Sequence, residues 1–120
     1  MKILIVEDSP TMRRIVQNTL KRIGYSDTVE AEDGVSALAK LSEEKVDFIV
    51  TDWNMPEMNG LEFIQRVKAN NEYSNIPILM VTTRSVENDV VEAIEAGASN
   101  YIIKPFTPQI MREKIDEIFS

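Results

Sequence analysis

The sequence predicts an α/β protein in which five β-strands alternate with five α-helices. Short strand-like runs, most of them apolar, recur five times, and each is followed by a polar loop and a segment of helical periodicity. Strict alternation of strands and helices is typical of a parallel, doubly wound sheet with right-handed crossovers and helices on both faces. No linker, repeat or low-complexity segment interrupts the 120 residues, so we expect one domain over residues 1–120.

The predicted strands are four largely apolar runs and one short strand-like segment that contains Glu30. They cover residues 3–6, 28–31, 46–51, 76–82 and 100–103. The fourth run is almost continuously apolar, as expected for a strand that helices cover on both faces. After the second strand, Asp33-Gly34 is interpreted as a turn before the second helix.

The predicted helices begin and end at capping residues. Ser9-Pro10 and Thr107-Pro108 each place a hydroxyl side chain before a proline, which suits the N-termini of the first and fifth helices. Gly24 and Gly97 end the first and fourth helices. The apolar residues at helical spacing, from the first helix to the fifth, are Met12, Ile15, Val16, Leu20 and Ile23, then Val35, Leu38 and Leu41, then Leu61, Ile64 and Val67, then Val86, Val90, Val91 and Ile94, and finally Met111, Ile115 and Ile118.

Composition excludes several classes of function. The 13 Lys and Arg residues against 20 Asp and Glu give a net charge of −7, and because such a surface repels phosphate backbones we expect no nucleic-acid partner. The absence of cysteine excludes disulfides and thiolate chemistry, and the absence of histidine removes the commonest general base and zinc ligand. With neither a signal-peptide pattern nor a membrane-length apolar run, we expect a cytoplasmic protein without membrane insertion.

Polar residues follow the predicted strands at the edge where doubly wound sheets bind their ligands. The first strand is followed by Glu7 and Asp8, the third by Asp52, the fourth ends in Thr82, and the fifth precedes Lys104. Carboxylates crowded at one edge repel each other by about 4 kcal/mol per close pair at intermediate dielectric, which favours a raised pKa or a bound cation. An all-oxygen cluster suits Mg²⁺ completed by a phosphate-like group. The alternative is three solvated acids at loop starts.

The combined placement of these groups suits phosphoryl transfer to Asp52. A cation and Lys104 would neutralise the phosphoryl oxygens while the carboxylate attacks in line, and Thr82 would offer a hydroxyl donor. Without a phosphoryl group, Lys104 would pair with Asp52. A carboxylate is already ionised at about pH 7, so the reaction needs no general base. Taken singly, Lys104 is typical of an ordinary surface lysine and Thr82 of a strand residue, so only the combination supports the hypothesis.

Several stretches together resemble the receiver domains of two-component response regulators, and among these the stand-alone chemotaxis regulators. The family-like stretches are Ile5-Val6-Glu7-Asp8-Ser9, the segment from Thr51 to Gly60, Val81-Thr82, Ala96-Gly97-Ala98, Tyr101 and Lys104-Pro105-Phe106-Thr107. Trp53-Asn54 and Thr11-Met12-Arg13-Arg14 look particularly like chemotaxis regulators. The resemblance implies a flavodoxin-like (βα)5 three-layer sandwich with strand order 2-1-3-4-5.

The resemblance also implies the chemistry of the site. Asp52 matches the phosphoacceptor, which takes its phosphoryl group from a histidine kinase. Glu7 and Asp8 match the acidic pair that binds Mg²⁺ together with Asp52, and the backbone carbonyl of Asn54 matches a further ligand. Thr82 matches the switch hydroxyl that moves to the phosphoryl group.

Further matches concern the transmission of the signal from the site to a partner protein. Lys104 matches the site lysine, whose bond to Pro105 is cis in the family, and Tyr101 matches an aromatic whose rotamer swings inward once Thr82 moves. Without the resemblance, the sequence favours an edge-strand aromatic that packs on a helix as the interpretation of Tyr101. No effector domain follows Ser120, so we expect a monomeric signalling protein, not an enzyme, that docks on a flagellar motor switch protein and is served by a phosphatase. The expected contacts on the face of the fourth helix, fifth strand and fifth helix are Ser85, Tyr101, Ile103 and Lys114.

Two positions depart from the family pattern, and three rival functions stay open. Glu7 stands where aspartate is usual, so it binds a metal either directly or through water, and Arg84 stands where chemotaxis regulators often carry an acid. The nearest rival is a receiver acting as a phosphorelay shuttle or phosphate sink. A flavodoxin-like electron carrier would need a phosphate loop where the acidic residues 7–10 stand, and an aspartyl-phosphate hydrolase would usually carry an acid where Asn54 stands.

Overall fold

The computed structural model describes all residues from Met1 to Ser120 and contains five strands and five helices. The strands are β1 (Ile3–Val6), β2 (Thr28–Ala31), β3 (Phe48–Thr51), β4 (Ile78–Thr82) and β5 (Asn100–Ile103). The helices are α1 (Pro10–Arg22), α2 (Gly34–Glu43), α3 (Gly60–Ala69), α4 (Glu87–Ala96) and α5 (Pro108–Phe119). None of these helices is long and apolar enough to cross a membrane.

The five strands form one parallel sheet in the order β2-β1-β3-β4-β5, which confirms the predicted fold class and strand order. The order reverses at β1, which lies between β2 and β3. In the β1–β3 register Val6 is opposite Thr51, and the Asp52 N–H donates to the Val6 carbonyl at 2.9 Å. The residues that follow these two strands, Glu7 and Asp52, are therefore neighbours at the carboxyl edge of the sheet.

Alternate residues of each strand face two separate apolar cores, one on each side of the sheet. One core joins strand residues such as Leu4 and Ile49 to helices α2, α3 and α4, with Phe63 of α3 completely buried. The other joins Ile5 and neighbouring strand residues to helices α1 and α5, through residues such as Leu20. Burial on both faces explains why β1, β3 and β4 consist entirely of buried residues.

Three local predictions are refined by the structure. The predicted strands 46–51 and 76–82 both begin two residues later, and in the second case Pro77 lacks the N–H that a ladder requires. Asp33-Gly34 is part of the α2 N-terminus and not a separate turn. The Asp33 carboxylate accepts from the Ser36 N–H at 2.8 Å, and the Ser36 hydroxyl accepts from the Asp33 N–H at 3.2 Å, which is a reciprocal capping box.

Helix α4 differs most from what its apolar pattern indicates. Val86, Val91 and Ile94 are 63%, 46% and 45% exposed, whereas Ala93 is completely buried. Val90 and Ala96 pack against the core beside Ala93, and the three exposed residues are turned toward solvent. Similar exposure is found at Ile15 of α1 and Val35 of α2. Three of the four apolar residues predicted for α4 are thus a surface feature, and the fourth, Val90, packs against the core.

Candidate functional site

Three predicted acids come together at the carboxyl edge of the sheet. The carboxylates of Glu7, Asp8 and Asp52 each offer an oxygen within 4.8 Å of the others. The Glu7 side chain is only 5% exposed and that of Asp52 11%, whereas Asp8 lies at the surface. The strand ends produce this cluster because Glu7 follows β1 and Asp52 follows β3, its neighbour in the sheet.

Asp52 is held in one orientation by a hydrogen bond to one carboxylate oxygen and an ion pair to the other. Its Oδ1 accepts from the Trp53 N–H at 2.7 Å, and its Oδ2 lies 3.4 Å from the Lys104 ammonium. The start of α3 supports this arrangement, because the Gly60 N–H donates to the Trp53 carbonyl at 2.7 Å. A Cβ at Gly60 would collide with the Asp52 carbonyl oxygen, so the close approach requires glycine. The Asp52 carboxylate is therefore fixed in orientation, and its Oδ2 faces the Lys104 ammonium.

Glu7 is connected to four different segments through all of its polar groups. Its Oε1 accepts from the Lys104 ammonium at 2.6 Å, and its Oε2 accepts from the Ser9 N–H at 3.1 Å. Its N–H donates to the Ala31 carbonyl at 3.0 Å, and its own carbonyl accepts from Arg13 Nη1 at 2.8 Å. The expected Lys104–Asp52 pair is therefore present but longer than the Lys104–Glu7 pair.

The pKa of the Glu7 carboxyl is set mainly by its burial. Burial raises the pKa of the Glu7 carboxyl above its usual value, and repulsion from Asp52 acts in the same direction. The hydrogen bonds from Lys104 and Ser9 lower that pKa and offset part of the effect. Because both Glu7 oxygens already have donors, Glu7 fits the water-mediated alternative better than direct ligation of a metal.

The remaining oxygens fit a divalent cation. The Asp8 carboxylate accepts no hydrogen bond from the protein, and the Asn54 backbone carbonyl accepts none either. Together with Asp52 these groups form a donor set of oxygens alone, with neither nitrogen nor sulfur, which is the set preferred by hard ions. The acids at this edge of the sheet therefore suit the binding of a divalent metal ion.

On the β4 side of Asp52, Arg84 joins residues from several segments. Its guanidinium lies over the Trp53 ring at 4.5 Å and donates to Asn54 Oδ1 at 3.1 Å and 2.9 Å. A longer ion pair reaches Asp89 of α4 at 3.5 Å. The backbone N–H of Arg84 donates to the hydroxyl of the fully buried Thr82 at 3.4 Å. Sequence reasoning singled out Arg84 as unusual but missed this set of contacts.

Tyr101 completes the connection from Arg84 to β5. Its hydroxyl donates to the Arg84 carbonyl at 2.7 Å, and the residue is only 7% exposed although β5 is an edge strand. Burial raises the pKa of Tyr101 to about 12, and the negative charge of Asp89 acts in the same direction. Of the other predicted contact residues, Ser85 and Ile103 are exposed, and Lys114 is half-buried beside Glu117 at 3.9 Å.

Two further features bear on the predictions. The Lys104-Pro105 peptide bond is cis, as the resemblance implies. Arg13 belongs to the family-like stretch Thr11-Met12-Arg13-Arg14, but the sequence did not predict its hydrogen bond to the Glu7 carbonyl. A signal was available, since Arg13 lies one helical turn after the Ser9 cap and hence beside the end of the first strand.

Comparisons with known proteins agree with these features. The sequence matches the family model described as "Response regulator receiver domain" over residues 3–116. It is 52% identical over 119 residues to the chemotaxis protein CheY homolog of Campylobacter jejuni, covering 98% of this chain and 92% of that protein. Chemotaxis protein CheY1 of Helicobacter pylori is 51% identical, with 98% and 96% covered. The solved structure of the Vibrio cholerae chemotaxis response regulator CheY4 has a TM-score of 0.88 and 37% identity, with 98% and 97% covered.

Proposed function

We propose, from the premise that this chain belongs to the response regulator receiver family, that it is a phospho-acceptor switch in chemotaxis. In this proposal Asp52 takes a phosphoryl group from a histidine kinase, and the phosphorylated protein acts by docking on a partner. The observation that supports it best is the environment of Asp52. This largely buried carboxylate, 11% exposed, has one oxygen held by a backbone N–H and the other facing Lys104, and two further acids lie close to it.

The proposed transfer is an in-line displacement at phosphorus. An Asp52 carboxylate oxygen forms a bond to phosphorus while the bond from phosphorus to the donor's histidine nitrogen breaks, and that nitrogen keeps the electron pair. Trp53 holds Oδ1 of Asp52, so Oδ2 is the oxygen available for attack. The protein modifies only itself in this reaction, which suits a signalling protein and not a classical enzyme.

Neighbouring residues supply charge and donors in the proposed reaction. A Mg²⁺ ion bound by Asp8, Asp52 and the Asn54 carbonyl, with Glu7 acting through water, would neutralise charge on the phosphoryl oxygens. The Lys104 ammonium, 3.4 Å from Asp52 Oδ2, would exchange its Glu7 contact for a phosphoryl oxygen. The Thr82 hydroxyl would donate to another phosphoryl oxygen after leaving the Arg84 N–H.

A movement of Thr82 would be transmitted through Arg84 and Tyr101 to the face formed by α4, β5 and α5. The Arg84 N–H donates to the Thr82 hydroxyl, and the Arg84 carbonyl accepts from the Tyr101 hydroxyl. A shift of Thr82 would therefore break the first hydrogen bond and change the position of Arg84, to which Tyr101 is bonded. A phosphoryl group would thus bias two arrangements of the β4–α4 loop and Tyr101. The magnitude of the bias is set by the difference in the contacts that each arrangement makes with the phosphoryl group.

The proposed docking surface comprises α4, β5 and α5. It exposes the apolar residues Val91, Ile94 and Ile103, each about half accessible, together with Ser85. Helix α4 also carries four acids and no base, and of these only Asp89 has an ion-pair partner, Arg84. Because the relatives are named as chemotaxis proteins, we propose a flagellar motor switch protein as the partner and a chemotaxis-type histidine kinase as the phosphoryl donor.

Phosphorylation with a small-molecule donor tests the central claim. Wild type, Asp52→Asn and the surface control Asp116→Asn are incubated with acetyl phosphate and Mg²⁺, and protein-bound phosphate is measured before and after hydroxylamine. Hydroxylamine-sensitive phosphate is expected on wild type and Asp116→Asn but not on Asp52→Asn. Equal labelling of all three proteins would exclude Asp52 as the acceptor, and labelling without Mg²⁺ would remove the metal from the proposal.

A pull-down then tests whether the phosphorylated protein binds the proposed partner. The phosphorylated wild type is expected to bind the motor switch protein more tightly than Asp52→Asn treated in the same way. Equal binding of both forms, with labelling confined to Asp52, would instead favour the phosphorelay shuttle or phosphate sink.

A further inference from the structure

The backbone carbonyl of Glu7 lies just beyond the end of the sheet, where no strand partner is available. β2 ends at Ala31, which accepts from the Glu7 N–H at 3.0 Å, and the sheet offers no donor to the Glu7 carbonyl. A polar backbone group in a mostly buried position requires another partner. That partner is Arg13 of α1, whose Nη1 donates to the Glu7 carbonyl at 2.8 Å.

Arg13 is itself held between two elements. It lies in the first turns of α1, and its Nε pairs with Glu30 Oε1 of β2 at 3.3 Å. The Arg13 side chain is 22% exposed, so most of its length is packed against the protein. The planar guanidinium donates from two nitrogens in fixed directions and so fixes the carbonyl relative to both α1 and β2.

The Glu7 carbonyl belongs to the peptide unit that joins Glu7 to Asp8. The Glu7 side chain is held independently by Lys104 and Ser9, but the Asp8 carboxylate has no hydrogen bond of its own. The direction in which Asp8 faces Asp52 is therefore controlled through its backbone, and Arg13 is the side chain that holds that backbone.

We propose that Arg13 is a positioning residue that orients Asp8 toward Asp52 for the binding of a divalent cation. The inference rests on the proposed function, because it concerns the same acidic site. Groups that orient metal ligands without contacting the metal commonly change metal affinity by about ten- to a hundredfold when they are removed.

A positioning function and a simple charge effect predict opposite results. Arg13 is a positive charge near a cation site, so if charge alone mattered its removal would strengthen the binding of Mg²⁺. If Arg13 positions Asp8, its removal weakens Mg²⁺ binding despite the more favourable charge. The adjacent Arg14 provides a matched control, since it carries the same charge on the same helix and forms no ion pair or side-chain hydrogen bond.

Isothermal calorimetry with MgCl₂ distinguishes these cases. Wild type, Arg13→Gln and Arg14→Gln are titrated at one salt concentration, after circular dichroism has shown that each is folded. We expect Arg13→Gln to bind Mg²⁺ about tenfold more weakly than wild type, and Arg14→Gln to bind equally or slightly more tightly. Equal or tighter binding by Arg13→Gln would overturn the proposal while leaving the proposed function intact. Absence of Mg²⁺ binding by wild type would overturn this proposal and would remove the metal from the proposed function, whose phosphorylation of Asp52 is tested separately.

A second measurement needs no metal. Amide hydrogen exchange of the cation-free protein is expected to be faster at Glu7 and Ser9, whose N–H groups donate to the Ala31 carbonyl and to Glu7 Oε2, in Arg13→Gln. Exchange in the interior of the β3 and β4 strands is expected to be unchanged. Arg13→Lys keeps the charge and one donor, so it is expected to show intermediate exchange and intermediate Mg²⁺ affinity. Wild-type exchange at Glu7 and Ser9 in both Arg13 variants would overturn the proposal even if one variant were too unstable for calorimetry.

Discussion

The acidic pocket and the surface of α4 lie on opposite sides of Thr82 and are built in different ways. In the pocket, Glu7 uses its N–H, its carbonyl and both carboxylate oxygens, and no buried side-chain nitrogen or oxygen in the protein lacks a partner. Helix α4 begins at Glu87, its N-cap residue Val86 provides no side-chain hydrogen bond, and the helix exposes Val91 and Ile94 to solvent. Its exposed acids Glu87, Glu92 and Glu95 belong to no ion pair.

This difference indicates where rigidity and where adaptability are needed. Phosphoryl transfer depends on reacting groups held in place before the reaction, and the pocket provides this through many short hydrogen bonds. A docking surface that responds to a signal needs elements that shift at low energetic cost, and a helix with exposed apolar residues and a weak N-terminus meets this need. Arg84 and Tyr101 connect the two regions.

Lys104→Ala should have the largest effect, because it removes the cation between Glu7 and Asp52. Breaking a buried ion pair by removing one partner costs about 3 kcal/mol, and all three side chains are at most about one-tenth exposed. We expect the free energy of unfolding, measured with urea in the absence of divalent cations, to fall by roughly this amount. Mg²⁺ should stabilise the variant more than wild type.

The exposed Lys45→Ala serves as the control for Lys104→Ala and should leave the free energy of unfolding unchanged. The Lys104 variant should still accept phosphate from acetyl phosphate but bind its partner poorly. Wild-type stability together with normal partner binding would show that the pocket does not depend on this lysine.

Arg84→Ala tests the connection between the two regions. Loss of the Trp53 contact and of both hydrogen bonds to Asn54 should lower the free energy of unfolding by about 1–2 kcal/mol. Because Trp53 is the only tryptophan, its fluorescence emission should change as well. Arg66→Ala, which breaks only an exposed pair with Glu62, should alter neither quantity. Unchanged emission in Arg84→Ala would contradict the proposed stacking.

Tyr101 provides a prediction about pH. The pKa of Tyr101 is raised to about 12, so between about pH 10 and that value the unfolded chain releases this proton and the folded chain retains it. The stability contributed by neutral Tyr101 is therefore present below about pH 10 and is lost as the pH rises through that window.

The near-ultraviolet phenolate absorbance of the three tyrosines measures this directly. One of the three should ionise late in folded wild type, and that late step should be missing in Tyr101→Phe. The variant should also lose about 1 kcal/mol with the hydrogen bond to Arg84. A late step that survives in Tyr101→Phe would assign it to another tyrosine.

Ile94→Ser should have the smallest effect on stability and a selective effect on binding. Since Ile94 is 45% exposed, the free energy of unfolding should change by no more than about 0.5 kcal/mol. Binding of the phosphorylated protein to its partner should weaken in a pull-down or titration. Ile15→Ser on α1, where the residue is 44% exposed, is the matched control and should bind normally. Equal loss in both variants would indicate a general surface effect.

The sequence predicted most of the fold because its signals are local. The apolar runs, the Ser9 and Thr107 caps and the terminal glycines all act within one or two turns of the chain, and the structure confirms the elements they predict. The family resemblance supplied the strand order, which the structure also confirms. The least accurate interpretation concerned α4, because an apolar stripe shows that a helix is amphipathic but does not show which element covers it. At α4 the small Ala93 faces the core with Val90 beside it, whereas Val86, Val91 and Ile94 are exposed.

By itself, the sequence determined that Glu7, Asp8, Asp52, Thr82 and Lys104 would meet at one edge, because parallel strands carry the residues that follow them to the same side of a sheet. Tertiary structure alone decided how these residues pair. Lys104 lies 2.6 Å from Glu7 although 97 positions separate them, and the Arg13 and Arg84 contacts likewise join different elements. Such pairings depend on distances of a few ångströms between packed side chains, which periodicity and spacing do not encode.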